Sequence, residues 1–327
     1  MTTEDVLKFL HAAPEKVTRE EFCGKLHLRR GAVRKAVREL RQAGYDIDGT
    51  LRSGLRLVPG PDRLELTKIA VCIPAHPWLP RLILLDDIGS TNTYARQLAA
   101  AGAPAGTVVL AEAQSAGRGR LGRTFSSEPG GLYMSVILRP SENLEALMHL
   151  TAAAAVAAMR AVEESCGVRA DIKWTNDLVI GKRKLCGILT ELSIDSGTRL
   201  VDAVIIGIGI NCNQAALAPE IADMATTLAA ESGAPIDRNI LAANLIHAFF
   251  ALSETLFSQK ENWLRRFRER CITIGQDVKL VRGDEIRYAH AESIGQNGEL
   301  IVRFADGTTE SIASGEVSVR GMYGYTD

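Results

Sequence analysis

The chain has 327 residues, of which 46% are hydrophobic and 24% charged; these are ordinary values for globular protein, and the length suits two or three domains. Its six cysteines include no CxxC pair, and its most apolar run, residues 150–159, is shorter than the ~20 residues of a membrane span. Together with a net charge of −1 and no signal-peptide pattern at the start, these features exclude a disulfide framework, a zinc knuckle and a membrane protein, and they predict a soluble cytoplasmic protein with reduced thiols.

The first part of the chain predicts three helices followed by a β-ribbon. Residues 4–12 have apolar positions at helical spacing, and Thr18 with Glu21 is a capping-box pattern that opens a second helix. Residues 32–43 predict a third helix, ended by Gly44. Residues 45–58, with tight-turn pairs at 48–49 and 53–54, are typical of a small ribbon. Helices and a ribbon in this order predict a winged helix-turn-helix domain.

Positive charge is concentrated between residues 25 and 41, where seven basic residues stand against the single acid Glu39. The third predicted helix lies in this segment, and in a winged helix-turn-helix its outer face would enter the major groove of DNA. We therefore predict that this domain binds DNA; the alternative is a three-helix bundle with a solvated charged face. The predicted DNA-binding residues are Arg30, Arg34, Lys35, Arg38 and Arg41.

The remainder of the chain predicts two further domains. The segment 58–61, VPGP, interrupts regular structure and predicts a linker. Beyond it the predicted strands are 107–113, 132–138, 171–174, 185–193 and 200–211, and the predicted helices are 144–166 and 237–257. After Cys271 the predicted strands are short, at 278–281, 289–294, 300–304 and 308–312, with hairpin turns at 297–298 and 306–307. We therefore expect an α+β multidomain chain with domains 1–62, 63–271 and 272–327, the last a β-barrel.

The segment 114–123, QSAGRGRLGR, carries three glycines and three arginines between Gly117 and Arg123. Such a loop is too flexible and too cationic to be packing surface, and its backbone N–H groups suit an anion. Residues 117–122 also match GxGxxG, the pattern of a Rossmann dinucleotide site. Three intruding arginines argue against that alternative, and so does the chain after Thr124, which predicts loop and strand rather than helix. We expect the loop to be mobile when empty and to shield a reactive intermediate when closed.

Two further motifs lie downstream, KWTND at 173–177 and RKLCGIL at 183–189. In this order and spacing, QxxGRGRxGR, KWxND and RKxxGIL resemble the catalytic domain of the biotin protein ligases. The resemblance extends over essentially the whole chain, winged helix included, and so to the members that are also biotin operon repressors. Two residues depart from the family pattern: Thr175 stands where proline is usual, and Leu121 stands where the loop commonly has arginine.

The resemblance implies a role for individual residues. The implied catalytic residues are Lys184, Arg118, Arg120 and Lys173. The implied biotin-binding residues are Ser90, Thr91, Asn92, Gln114, Arg118, Gly119, Arg120, Trp174, Lys184 and Gly187. The implied ATP- and adenylate-binding residues are Arg118, Arg120, Arg123, Asn176, Asp177, Asn211, Glu316 and Arg320. Ser90 is equally a helix N-cap and Trp174 equally a core aromatic, while Asn176 and Asp177 offer oxygen ligands either for Mg²⁺ or for orienting a lysine.

The resemblance also implies a fold and a function. The central domain would have the α/β fold shared by biotin and lipoate ligases, and the C-terminal domain would be an SH3-like barrel. Biotin and MgATP would form biotinyl-5'-adenylate, and the biotinyl group would pass to a lysine of the biotin carboxyl carrier protein of acetyl-CoA carboxylase. With the adenylate bound as corepressor, a homodimer would bind operator DNA. The alternatives are a lipoate or octanoate protein ligase and a ligand-sensing repressor without turnover.

Overall fold

The computed structural model describes residues 3–13, 15–142, 144–194, 201–282, 285–313 and 318–321. The chain divides into a first unit, residues 1–80 with 237–243, and a second unit, residues 81–236 with 244–327.

The first unit contains the predicted helices and ribbon. The helices are α1 (Thr3–Ala12), α2 (Arg19–Leu26) and α3 (Arg30–Gln42), and the ribbon is β1 (Ile47–Thr50) paired antiparallel with β2 (Gly54–Leu57). The capping box is confirmed, because Thr18 Oγ accepts from the backbone N–H of Glu21 and the Glu21 carboxylate accepts from that of Thr18. A fourth helix, α4 (Leu66–Cys72), was not predicted.

The apolar stripes of these helices form the core of the first unit. Leu7, Phe22 and Leu40 are fully buried, one from each of the three helices. Leu7 and Leu40 are at positions that helical periodicity places on the inner faces, whereas Phe22 is the one buried residue of α2. At about 25 cal/mol per Å² of apolar surface, burying side chains of this size contributes roughly 1.5–3 kcal/mol each.

Asp237 holds a polar cluster of the first unit at the start of α8 (Arg238–Thr255). Its Oδ1 accepts from the backbone N–H of Asn239, which caps the helix. Its Oδ2 accepts from Tyr45 Oη at 3.0 Å and lies 3.2 Å from His11 Nε2. Burial alone would raise the pKa of Asp237, yet the hydrogen bond and charge of His11 hold it below its ordinary value. The carboxylate therefore stays ionised in the interior.

The second unit is built on a seven-stranded mixed sheet. Its strands are β3 (Leu82–Ile88), β4 (Val108–Gln114), β5 (Leu132–Leu138), β6 (Asp171–Lys173), β7 (Asp177–Ile180), β8 (Arg183–Ile194) and β9 (Val201–Ile210). The spatial order is β3-β4-β5-β9-β8-β7-β6. Only β3 and β4 pair in parallel, joined by α5 (Thr91–Ala100), and the other pairs are antiparallel. A hairpin at residues 180–183 joins β7 to β8, with Ile180 opposite Arg183.

Helices pack against this sheet and complete its core. They are α5, α6 (Leu150–Cys166), α7 (Leu228–Ser232), the later part of α8 and α9 (Lys260–Arg270). Residues 145–147 form a 3₁₀ turn, so α6 begins later than the predicted helix at 144. The segment Glu145–Cys166 is long and apolar enough to cross a membrane by length and composition alone, although 72% of its most apolar window is buried in the protein. A buried core helix passes the same test, so this segment is weak evidence for a membrane span.

The end of the chain forms a five-stranded antiparallel sheet, also part of the second unit. Its strands are β10 (Asp277–Arg282), β11 (Glu285–Ile294), β12 (Leu300–Arg303), β13 (Thr309–Ile312) and β14 (Ser318–Gly321). The order is β13-β12-β11-β10-β14. Both predicted turns are confirmed, and each contains a glycine with positive φ, Gly298 at 85° and Gly307 at 86°.

Candidate active site

A cavity of about 600 Å³ lies in the second unit. This volume is within the usual range for small-molecule sites. The three sequence motifs, which are distant along the chain, meet in its walls. The predicted site residues that line it are Ser90, Thr91, Asn92, Gln114, Arg118, Gly119, Arg120, Arg123, Lys173, Trp174, Asn176, Asp177, Lys184, Gly187 and Asn211.

The start of α5 supplies a polar wall of the cavity. Ser90 is the N-cap of this helix, and its Oγ accepts from the backbone N–H of Thr93. Gln114 Oε1 accepts from both the backbone N–H and the hydroxyl of Thr91, at 2.8 and 3.0 Å. Asn92 is 4% exposed and lines the same wall. The sequence predicted this cluster of small polar groups, and the folded chain brings it to one surface.

Three residues that hydrogen-bond to this wall from behind were not predicted. Ser135 is fully buried in β5 and donates to Asn92 Oδ1 at 2.6 Å. Glu191 accepts from Asn92 Nδ2 at 2.9 Å, and Ser127 Oγ accepts from Gln114 Nε2 at 2.8 Å. For Ser135 the sequence carried a signal, since it is the one hydroxyl of small size within an otherwise apolar strand pattern, LYMSVIL. Glu191 and Ser127 belong to no pattern that distinguishes them from surface residues.

The glycine-rich loop is folded back on itself. The backbone N–H of Gly119 donates to Arg123 O at 2.7 Å, and that of Phe125 donates to Gly117 O at 2.9 Å. A Cβ at Gly117 would lie 2.3 Å from Phe125 O, so only glycine permits this approach. The loop is followed by irregular structure and then by β5, which runs antiparallel to β4. This geometry removes the Rossmann alternative, because that motif needs a helix directly after the loop and a parallel strand beyond it.

Positive side chains line the cavity from all three motifs, and those of Lys184, Arg118 and Arg120 each lie beside a polar or acidic partner. Lys184 Nζ is 2.8 Å from Asp177 Oδ1, and Arg118 Nη1 is 3.0 Å from Glu191 Oε1. Arg120 Nη1 donates to Asn176 Oδ1 at 3.1 Å. Burial lowers the pKa of the Arg120 guanidinium, and the charge of Asp177 opposes that change. The cations are therefore held in position before any anionic ligand arrives.

Trp174 lies at the boundary between the core and the cavity. It is 4% exposed, as a core residue is, and it also lines the cavity. Its backbone N–H donates to Thr273 Oγ1 and its Nε1 donates to Gly298 O, both at 2.9 Å. These bonds attach the cavity wall to the segment before the C-terminal sheet and to the turn between β11 and β12. The peptide bond between Trp174 and Thr175 is cis.

Asn176 and Asp177 orient neighbouring side chains. Asn176 Nδ2 donates to Ile188 O at 2.8 Å while its Oδ1 accepts from Arg120, and the Asp177 carboxylate pairs with Lys184. Within the described residues, no group of three or more His, Cys, Asp and Glu side chains could hold a metal ion. A single carboxylate fits Mg²⁺ only in the way common for nucleotide enzymes, in which substrate phosphates supply further ligands.

A segment after β9 also lines the cavity and was missed. It contributes Ala218, Glu220, Ile221, Met224 and Ala225. The backbone N–H of Lys184 donates to Met224 O at 2.7 Å, and that of Thr226 donates to Lys184 O at 2.9 Å. The segment thus fixes the backbone of Lys184 at the cavity. It has no regular secondary structure, so no periodicity in the sequence could have indicated it.

The predicted DNA-binding residues all lie on α3 and are exposed. Arg41 also has a local task, because its Nη2 donates to Ile47 O at 2.6 Å and to Gly49 O at 3.0 Å. These bonds fasten β1 to the end of α3. Two predicted ATP-binding residues remain. Glu316 lies outside the residues that the structure describes, and for Arg320 the structure describes only the backbone, in β14.

Comparisons with known proteins match both parts of the second unit. The model of the Biotin/lipoate A/B protein ligase family matches residues 84–211, and that of the biotin protein ligase C-terminal domain matches residues 273–320. The bifunctional ligase/repressor BirA of Bacillus subtilis (strain 168) is 40% identical over 233 residues, which cover 70% of this chain and 71% of that protein. The protein of the same name from Escherichia coli (strain K12) is 30% identical over 304 residues, 92% of each chain. The structure of biotin protein ligase from Aquifex aeolicus in complex with biotin and ATP is 31% identical, with a TM-score of 0.64, and covers 74% of this chain and 99% of its own.

Proposed function

The chain belongs to the biotin protein ligase family, and from that premise we propose that it joins biotin to a carrier protein in two steps. In the first, the biotin carboxylate attacks the α-phosphorus of ATP and gives biotinyl-5'-adenylate and pyrophosphate. In the second, the ε-amine of a lysine on the biotin carboxyl carrier protein of acetyl-CoA carboxylase displaces AMP. The same protein, with adenylate bound, represses transcription from biotin genes.

The observation that carries the ligase function is the set of cations in one cavity. A carboxylate and a phosphate ~4 Å apart repel by about 4 kcal/mol at an effective dielectric near 20. Lys184, Arg118 and Arg120 line the cavity, and cations placed there offset that repulsion. The carboxylate is ionised at neutral pH and needs no general base. Positioning and positive charge therefore supply most of the catalysis.

The roles proposed for individual residues follow from where they lie. Thr91, Asn92 and Gln114 offer hydrogen bonds to the ureido ring of biotin from the polar wall, and Trp174 is an apolar wall. Lys184 holds the biotin carboxylate and then the acyl phosphate. Lys173, Arg118 and Arg120 are proposed to act with Lys184 in catalysis. The further proposed biotin contacts are Ser90, Arg118, Gly119, Arg120 and Gly187, and those to ATP and adenylate are Arg118, Arg120, Arg123, Asn176, Asp177 and Asn211. The family resemblance alone adds Glu316 and Arg320 to the ATP contacts. Mg²⁺ bound with ATP would offset phosphate charge, with Asp177 as its proposed ligand.

Transfer of label tests the ligase function directly. The protein is incubated with labelled biotin, MgATP and a carrier-domain fragment, and label is followed on the fragment. Label on the acceptor lysine is the expected result. Transfer of lipoate or octanoate in preference to biotin would instead identify a lipoate-type ligase. Biotin binding without ATP–pyrophosphate exchange would identify a sensor without turnover.

The first unit supports the repressor function. We propose that its three helices and ribbon form a winged helix-turn-helix, in which α3 presents Arg30, Arg34, Lys35, Arg38 and Arg41 to DNA. A homodimer held together when adenylate is bound would place two copies of α3 at two half-sites. Binding to a biotin-gene promoter, measured with and without biotin plus ATP at two salt concentrations, tests this function. Equal binding with and without the adenylate would contradict it.

Domain boundaries and location complete the proposal. We propose that residues 1–62, 63–271 and 272–327 are the DNA-binding, catalytic and SH3-like domains, and that the protein acts in the cytoplasm. The closed glycine-rich loop shields the mixed anhydride from water. A protease accessibility map of the chain, with and without biotin and ATP, would locate the boundaries and report the ordering of that loop.

A further inference from the structure

Glu191 connects two parts of the cavity that the motifs leave separate. It lies on β8, and its side chain is 19% exposed. Its Oε1 is 3.0 Å from Arg118 Nη1 in the glycine-rich loop, and 3.8 Å from Arg96 Nη1 on α5. Its Oε2 accepts from Asn92 Nδ2 at 2.9 Å on the polar wall. One carboxylate thus joins the glycine-rich loop to the wall proposed for ureido recognition.

The carboxylate also determines which way the Asn92 amide faces. An ionised carboxylate can only accept, so Asn92 must present Nδ2 to Glu191 and Oδ1 to Ser135, whose hydroxyl is 2.6 Å from it. Leu189 O, 3.3 Å from the same Nδ2, is likewise an acceptor. A Cβ at Gly207 would lie 2.1 Å from Asn92 Oδ1, so glycine leaves the space that the amide occupies. In a flipped amide, Asn92 Oδ1 would face the acceptor oxygens of Glu191 and Leu189 and could not hydrogen-bond to them. Only one orientation of the amide is therefore favourable.

We propose that Glu191 is a positioning residue with two separable tasks in the ligase reaction. Through Oε2 it fixes the orientation of the Asn92 amide, and thereby the donor and acceptor pattern offered to biotin. Through Oε1 it tethers the glycine-rich loop by Arg118, and thereby prolongs the retention of the adenylate. The inference rests on the proposed function, since both tasks are defined by its ligands.

Two kinds of substitution separate the tasks. Glu191→Gln keeps one carbonyl oxygen for Asn92 and replaces the other acceptor with an NH₂ group that cannot pair with Arg118. It should bind biotin within about twofold of wild type, while the bound adenylate dissociates about two- to fivefold faster, as for a partly exposed ion pair. Glu191→Met removes both oxygens at similar length. This variant should lose the tether, and its Kd for biotin should rise about tenfold or more, as expected for the loss of a hydrogen bond to a charged group.

The measurements are biotin titration by calorimetry and the half-life of labelled adenylate on the protein. Glu191→Ala serves as a second variant without the oxygens, and thermal unfolding verifies that each variant folds. Glu164→Gln is the matched control, since Glu164 belongs to an exposed pair with Arg160 and does not line the cavity. Wild-type biotin affinity in the folded Met or Ala variant would overturn the orienting task. Wild-type adenylate retention in the Gln variant would overturn the tether.

Trypsin cleavage at the arginines of the loop, in protein without ligand, separates this inference from the function itself. Faster cleavage in Glu191→Gln than in wild type and in the Glu164→Gln control supports the tether, and equal cleavage contradicts it, whatever the ligand is. Failure of the wild-type protein to transfer labelled biotin would instead refute the proposed function.

Discussion

Lys184 has a well-defined environment in the cavity. Its backbone is bonded on both sides to residues 224–226, and its ammonium lies 2.8 Å from Asp177. Its ring neighbour is Phe125, whose centroid is 6.0 Å from Nζ. Such a group loses little entropy when a carboxylate binds, because its position is fixed in advance. The residue is therefore suited to stabilise negative charge that develops during acyl activation.

Lys184→Ala should slow adenylate formation by about 10²–10³-fold, since loss of one preorganised donor typically costs roughly 2.7–4 kcal/mol in barrier. Single-turnover release of pyrophosphate measures this step. Lys182→Ala, an exposed lysine at the preceding turn, is the control and should leave the rate near wild type. A normal rate in Lys184→Ala would remove this residue from the proposed mechanism.

Arg120→Gly should shorten the retention of adenylate while leaving its synthesis in place. The substitution removes the guanidinium that is hydrogen-bonded to Asn176, and it adds flexibility to a loop already rich in glycine. Mixed anhydride released to solution acylates exposed lysines of other proteins, so labelling should lose its specificity for the carrier. The readout is label on a bystander protein, and equal bystander labelling by wild type and variant would contradict the assignment.

The glycine-rich loop could be found from residue type, because arginines among glycines are unusual unless they serve an anionic ligand. Lys184 and the polar residues at the start of α5 were indicated by the family resemblance of their motifs. Glu191 and Ser127 could not be found that way. An acid and a serine are ordinary on a surface, and only the pairing of β8 with its neighbours and the folding of the loop bring them to the cavity.

At the scale of elements, α3 carries charges of two kinds. Arg34 is exposed and points away from the core, whereas the Arg41 guanidinium donates to two carbonyls around β1. Charge counting gave both residues the same expected role. The structure separates them, since bonds to backbone carbonyls hold the ribbon against the helix.

Arg34→Ala should make DNA binding less dependent on salt. Each neutralised phosphate contributes about 0.9 to the slope of log K against log salt, so a dimer that loses one phosphate contact per copy should lose about 2 from that slope. Arg41→Ala should additionally lower the free energy of unfolding by roughly 0.5–1.5 kcal/mol per lost hydrogen bond. Fluorescence anisotropy at several salt concentrations and urea unfolding measure the two effects. Equal stability of the two variants would contradict the local task of Arg41.

Element prediction succeeded where a pattern was strong and local. β5 was predicted with its observed ends, since it is a short apolar run between turn signals. β3 and α9 were missed. In β3 the apolar run ends in two acids and is only half-buried, and in α9 the apolar Trp263, Leu264 and Phe267 are outnumbered by charged residues. Both elements depend on the burial of their apolar side chains in the folded protein, which local composition does not indicate.

At the scale of the whole molecule, acid should destabilise the fold through His149. This ring is fully buried, and its Nε2 is 3.0 Å from Leu256 O. Burial, helped by the nearby charge of Lys260, lowers its pKa below the ordinary value of 6.5. The unfolded chain then binds a proton more readily than the folded one, so stability is complete above about pH 6.5 and falls as pH drops below it.

The free energy of unfolding should fall by at most ~1.4 kcal/mol per pH unit from this single group. Urea unfolding at pH 7.5, 6.5 and 5.5 measures the slope in wild type and in His149→Gln, in which the slope should be smaller. His247→Gln, at an exposed position of α8, should keep the wild-type slope. Identical slopes in wild type and His149→Gln would refute this assignment.

The order of strands in the large sheet was beyond prediction from local patterns. β9 lies between β5 and β8, although it follows β8 in the chain. This order places Gly207 and Gly209 beside the polar wall and the glycine-rich loop, where a Cβ would meet Asn92 or Phe125. Pairing between distant segments depends on the whole sequence, so the motifs indicated the chemistry of the cavity without its shape.

The attachment of Trp174 to Gly298 has a consequence for the newborn chain. The indole nitrogen finds its acceptor 124 residues further on, in a turn of the C-terminal sheet. As the ribosome releases the polypeptide from its N-terminus, all the cations that line the cavity emerge well before that turn. The wall at Trp174 lacks this support until residue 298 has left the ribosome, so the cavity cannot reach its mature form before that turn is made.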